Sequence, residues 1–205
     1  MVFSQPKLNL VLGTGYYNPK IETTDPIPKI GFVGKNLLLN WGMRYQIYPN
    51  VRIGYSQSHS LHFGSIGSSN YRRNISYRSI SFETFYLMKE KIELNFSLAP
   101  MLNKGSITIS AKAPTNDWDS FLEAYGNSSV SLETGSSMTK RWVGFSSHMG
   151  CRYYFSRLIS VEGQLGYFMS SYSDKNWTLE GDKVNGPPMK IGRLPVLQIN
   201  MVVGI

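Results

Sequence analysis

Along this chain, apolar and polar residues alternate at period two in eight separate stretches. Successive side chains of a strand point to opposite faces, so each stretch reads as a strand whose two sides meet different surroundings. The first runs from Leu8 to about Tyr17, with Leu8, Leu10, Leu12, Thr14 and Tyr16 on one face and Asn9, Val11, Gly13 and Gly15 on the other. The second sets Leu37, Leu39, Trp41, Met43, Tyr45 and Ile47 against Asn40, Gly42, Arg44 and Gln46. The third sets Val51, Ile53 and Tyr55 against Arg52, Gly54 and Ser56. The pattern recurs at 79–86, where Phe85 breaks it by standing on the polar side, and again at 92–99, 143–155, 159–167 and 197–205. The apolar face carries no charge, whereas Asn, Gln, Ser, Gly, Arg and Glu collect on the other. An apolar exterior around a polar interior suits a barrel set in lipid and reverses the pattern of a soluble barrel.

The connections alternate too. Tyr48-Pro49-Asn50, Lys89-Glu90-Lys91 and Ser156-Arg157 are tight turns, the first because Pro presets a turn dihedral and Asn tolerates the left-handed region. Long connections follow the first, third, fifth and seventh strands, including a Gly- and Ser-rich loop from Ser58 to Asn74 and an extended one at about 101–141. Connections of like length share one end of the barrel, and an even strand count lets the first and last strands pair, leaving no open edge. The expected fold is all-β: a closed antiparallel up-and-down transmembrane barrel of eight strands, a single domain over residues 1–205. Within 101–141, Ile107 with Ile109 and Val130 with Leu132 alternate with polar neighbours and extend the flanking strands as a hairpin. Asp117 to Tyr125 between them reads as a short helix stopped by Gly126. If those extensions spanned the membrane the barrel would have ten strands, with a long connection at the end where long connections are unusual.

Composition narrows the choice further. With 41% hydrophobic, 13% aromatic and 17% charged residues the chain is an ordered domain. No apolar run reaches the roughly 18–20 residues of a membrane helix, but a barrel strand of about 9–11 residues turns only every second side chain to lipid. The net charge of +8 comes from scattered Lys and Arg with no basic run of five, which argues against nucleic acid and assigns the excess to loops facing anionic membrane phosphates. Cys151 has no disulfide partner in this chain and reads as a small lipid-facing side chain. An exported barrel needs a signal peptide, and Met1 to Gln5 lacks its charged and apolar regions; Val2-Phe3-Ser4-Gln5 is read as the remnant of a cleavage end.

Candidate chemistry lies on the polar face. Arg44, Arg52 and Arg152 with Glu83, Glu93 and Glu162 all fall within a few residues of a tight turn and should form one charged layer in the lumen. An unpaired charge there would cost several kcal/mol, so the layer reads as a salt-bridged plug rather than an ion gate or proton path, because eight strands leave a lumen just wide enough for side chains to fill. His148 stands between Ser146 and Gly150, with Glu162 on the next strand, which raises a Ser/His/Glu nucleophile; no His-x-Ser pairing faces lipid, so a hydrogen-bonded lumen histidine is the reading and no catalytic residue is assigned. His59 and His62 lack a third ligand, so no metal and no cofactor is implied. Tyr16, Tyr45, Tyr48, Tyr86, Trp142, Tyr153 and Tyr167 cluster toward strand ends as interfacial girdles. Trp118 and Trp177, in long connections, are candidate stacking platforms for an external ligand such as a sugar.

With the strand pattern, the loop alternation and the Gly150-Cys151-Arg152-Tyr153-Tyr154-Phe155 stretch before the turn at Ser156, the chain resembles the small outer-membrane β-barrel proteins of OmpA/OmpX or opacity type. The resemblance implies insertion into a bacterial outer membrane by the barrel-assembly machinery, with termini and short turns periplasmic and long loops extracellular. It implies contact with outer-membrane lipids and lipopolysaccharide, and a non-enzymatic role in envelope integrity or surface interaction through loops that meet an external ligand or an envelope partner protein. A narrow porin-like channel is the second reading and a lipid A-modifying enzyme the third. Such proteins commonly end in an aromatic residue, whereas this chain ends in Val203-Gly204-Ile205.

Overall fold

A computed structural model of the chain describes residues 6–17, 20–21, 37–66, 69–111, 136–172, 175–179, 181–186 and 189–205. Eight long strands make the wall: β1 (Leu8–Tyr17), β3 (Leu37–Tyr48), β4 (Val51–Ile66), β5 (Ser69–Lys89), β6 (Ile92–Ala111), β7 (Ser136–Tyr154), β8 (Ile159–Tyr172) and β11 (Met189–Gly204). Each pairs antiparallel with its neighbour in sequence order, and β1 pairs β11 from Asn9↔Gly204 to Tyr17↔Val196, which closes the cylinder. Closure satisfies every ladder without an edge, the condition for β-structure in hydrocarbon. Short β2 (Lys20–Ile21) adds to β11, and the hairpin of β9 (Trp177–Leu179) and β10 (Asp182–Val184) adds to β7. The barrel has eight strands and not ten, because the 107–109 segment continues β6 without crossing back.

The tight turns are local chemistry. Asn50 has φ 63°, a left-handed value that Asn adopts more readily than most residues. At the third turn the Ser156 hydroxyl accepts the amides of Leu158 and Ile159 at 3.3 and 3.1 Å. β1 begins and β11 ends at this same end of the barrel, where the Ile205 amide donates to the Leu8 carbonyl at 2.9 Å.

The opposite end departs from the sequence reading in one place. The composition of residues 58–74 predicts a loop, yet β4 runs on to Ile66 and β5 starts at Ser69, paired residue for residue from Val51↔Thr84 to Ile66↔Ser69. Ser, Asn and Gly are poor strand formers in isolation, but here each ladder is templated by the long strand beside it. β5, β6 and β7 have 21, 20 and 19 residues, against the roughly 9–11 that cross a bilayer, so this side of the wall is taller than a bilayer crossing requires. The helix expected at 117–125, the Val130 and Leu132 segment and Trp118 lie outside the described residues.

Candidate functional site in the barrel interior

A layer near the tight turns takes one inward charged side chain from each of six consecutive strands: Arg44 from β3, Arg52 from β4, Glu83 from β5, Glu93 from β6, Arg152 from β7 and Glu162 from β8. Arg44 binds Glu162 through two parallel hydrogen bonds of 2.8 Å and reaches Glu83 at 3.0 Å. Arg52 joins Glu83 at 2.8 Å and grips Glu93 at 2.7 and 2.8 Å. Arg152 holds Glu162 at 2.6 and 3.0 Å and Glu93 at 3.4 Å. Three cations therefore face three anions, and paired forks of this kind are the strong form of a charge-assisted hydrogen bond.

Neutral side chains complete the cage. The Tyr154 hydroxyl donates to Glu93 at 2.6 Å, and the Asn95 and Asn200 amides donate to Glu162 at 2.9 and 3.3 Å. Phe85 explains its own departure from the alternation: its ring lies 3.6 Å from the Arg52 guanidinium carbon, so an aromatic face supports a buried cation. Sequence reasoning does not assign these four partners, because their contribution depends on cross-barrel proximity. Phe85 and Tyr154 carry a signal, as aromatic residues on the polar side of a strand.

Toward the other end the interior changes character. Tyr17, Leu38, Ile75, Tyr77, Met101, Trp142, Phe168 and Val196 form one buried cluster drawn from seven strands. Tyr77 and Phe168 pack with their rings tilted at 47° and ring centres 4.9 Å apart, Tyr17 meets Tyr77 edge-on at 5.9 Å, and the Tyr77 hydroxyl donates to that of Tyr17 at 3.2 Å. An expectation of a lumen polar throughout misses this layer. The parity is there to be read, since Tyr17 follows Gly13 and Gly15 at even spacing.

Trp142 belongs to this cluster and not to a girdle. It is 8% exposed, faces inward, and its indole nitrogen donates to the Ser170 hydroxyl at 3.2 Å. The correction follows from pleating: Val143 faces out, so Trp142 beside it faces in. Tyr16, Tyr45, Tyr48, Tyr86, Tyr153 and Tyr167 are on the outer surface. Trp177, read as an exposed stacking platform, is 1% exposed, with its ring 3.9 Å from the place a Gly105 β-carbon would occupy. The β9–β10 hairpin folds it down beside Trp142, so it has no open face for a sugar.

Between the charged and aromatic layers is a small polar chamber bordered by Asn40, Ser58, Ser79, Ser97, Ser146 and His148. Its volume of about 50 Å³ admits a few water molecules. His148 and Glu162 are not hydrogen-bonded to each other, and the His148 Nε2 is buried without a hydrogen-bond partner among the described residues. Glu162 is spent on two arginines and two amides, and His148 pairs across the ladder with Gly166, against whose backbone its ring is packed. His59 and His62 are three apart on one strand and so point to opposite faces, and no metal-binding cluster occurs among the described residues. Cys151 is exposed on the outer wall.

No protein family model matches the chain and no curated protein is similar to it in sequence. The fold, however, is that of solved small outer-membrane barrels. Neisserial surface protein A, NspA, superposes with a TM-score of 0.59 at 10% identity over 97% of both chains. A major outer membrane protein from Thermus thermophilus gives 0.57 at 9% identity, over 96% of this chain and 98% of that one. OprG from Pseudomonas aeruginosa gives 0.55 at 7% identity over 100% of each.

Proposed function

We propose that this chain is an integral bacterial outer-membrane barrel with a plugged interior. It serves envelope integrity or surface interaction through the connections and strand extensions at its tall end. The observation that carries this reading is the outer belt. Large apolar side chains on all eight wall strands face outward, from Leu10 and Leu12 on β1 to Ile199 and Met201 on β11, while the arginines and glutamates of the lumen layer are held inside. A soluble monomer does not leave an apolar belt of this extent in water, whereas hydrocarbon requires one. The tight turns and both described chain ends then face the periplasm and the tall wall faces outward, as in barrels with short periplasmic turns.

Two layers argue against a channel. Arg52, Arg152, Glu83, Glu93 and Glu162 are fully buried against one another, and an aromatic layer stands above them. An enzymatic reading finds no assembled nucleophile among the described residues. His59 and Ser76 are ladder partners on the outer face, but His59 bonds Gln57 and the Ser76 hydroxyl donates to the Lys104 carbonyl.

Heat-modifiable electrophoretic mobility and recovery in the outer-membrane fraction test the class. Spin labels at Leu39, Phe96 and Val161 test the belt; aqueous accessibility at these sites in reconstituted vesicles overturns the proposal. Planar-bilayer recordings should show no stable conductance, and a reproducible unit conductance would replace the plugged barrel with a channel.

A further inference from the structure

The outer wall changes chemistry at one level on the tall side. Going up from the tight turns, outward residues are uncharged and mostly apolar, with Thr84 and Ser147 the polar exceptions, as far as Ile80 on β5, Leu102 on β6 and Val143 on β7, which are 53%, 67% and 71% exposed. The next outward residues on these same strands are Arg78, Lys104 and Arg141, all exposed. Lys104 is the thirteenth residue of β6, and about 9–11 residues cross the hydrocarbon, so this row falls at headgroup level.

The three cations are close together by register. Lys104 and Arg141 are direct ladder partners, which places their β-carbons about 4.5–5.5 Å apart. Arg78 pairs with Leu102, two residues from Lys104, making it a diagonal neighbour at roughly 7–8 Å. Like charges directly opposed on a ladder destabilise it. None of the three forms an ion pair among the described residues; the Lys104 contact is through its carbonyl, which accepts from Ser76. The flanking outward positions are the uncharged Ser76, Ser106 and Thr139, so no carboxylate on these strands repels an anion there.

We propose that Arg78, Lys104 and Arg141 bind the phosphorylated headgroup of a membrane lipid, whose acyl chains lie along Ile80, Leu102 and Val143. The site rests on the membrane-barrel reading and gives it a specific lipid contact. A phosphate between Lys104 and Arg141 removes their mutual repulsion and accepts their hydrogen bonds, and the apolar residues directly below supply the surface for the chains. A free phosphate would use the cations but not that surface.

The test is native mass spectrometry of the full chain released from phosphatidylcholine bicelles containing either phosphatidic acid or diacylglycerol with the same acyl chains. The wild-type chain should retain phosphatidic acid in preference to diacylglycerol. Lys104→Ser/Arg141→Ser should weaken retention at least about tenfold, while Lys89→Ser/Lys91→Ser at the tight-turn end should not. Excess inorganic phosphate should fail to displace the lipid. Equal retention by the Lys104/Arg141 variant overturns the site, and displacement by inorganic phosphate reassigns it to the free anion and overturns the lipid. Heat-modifiable mobility shows whether the variant has folded; if it has not, the wild-type comparison decides, and no preference for phosphatidic acid overturns the proposal. A chain that fails to insert into bicelles refutes the membrane-barrel reading itself, whereas insertion without preference refutes only this site.

Discussion

Replacing Arg152 with methionine asks whether the lumen charges act as a neutral unit. Arg152 is fully buried and contacts Glu162 at 2.6 Å and Glu93 at 3.4 Å, with Glu83 at 3.9 Å. Arg152→Met leaves two arginines facing three glutamates, one buried charge without its counterpart. Breaking a buried pair in this way costs about 3–5 kcal/mol. The double variant Arg152→Met/Glu162→Met restores balance, because Arg44 keeps Glu83 at 3.0 Å and Arg52 keeps Glu93 at 2.7 Å. Its cost should fall short of the sum of the two single variants by about 2–3 kcal/mol, near the upper end of measured couplings. Equilibrium urea unfolding in phospholipid vesicles, read by tryptophan fluorescence and by the heat-modifiable band, measures all four proteins. Strict additivity, or a single variant within about 1 kcal/mol of wild type, refutes the cage as a stabilising unit. Unchanged stability with greatly increased conductance would identify an ion gate instead.

Phe168→Ala removes the ring that joins Tyr17, Tyr77 and His148, and should cost about 3–5 kcal/mol by the same unfolding assay. Its bilayer conductance should stay at background, because the charged layer below is intact; an open channel in this variant would show that the aromatic layer alone seals the barrel. Gly166→Ala drives a β-carbon into both the His148 ring and the Ser147 carbonyl, and should destabilise by about 1–3 kcal/mol. Gly163→Ala, whose β-carbon meets nothing within 4 Å, should unfold like wild type, so equal midpoints for the two alanines would contradict the described ladder.

The faces of the strands are legible because a pleated chain turns its side chains out and in at period two, whatever its tertiary partners. Leu39, Phe96 and Val161 read as outward and are exposed, while Arg52 and Glu162 read as inward and are buried. The same rule, applied to Trp142, places it inside; the tendency of aromatic residues to gather at strand ends points the other way there, and parity wins. Strand ends are less legible. The residues at 58–66 and 69–74 carry turn-like composition, and only the neighbouring ladders make them strand.

What the sequence by itself determined is which residues share a face and which end of the barrel holds the charges, since both follow from spacing along one chain. Only the tertiary structure decided which arginine grips which glutamate, that Phe85 supports Arg52, that an aromatic layer stands above a polar chamber, and that Trp177 is folded in rather than displayed. These depend on distances across the lumen between strands far apart in sequence. Such distances are set by closure and register, which no local pattern encodes.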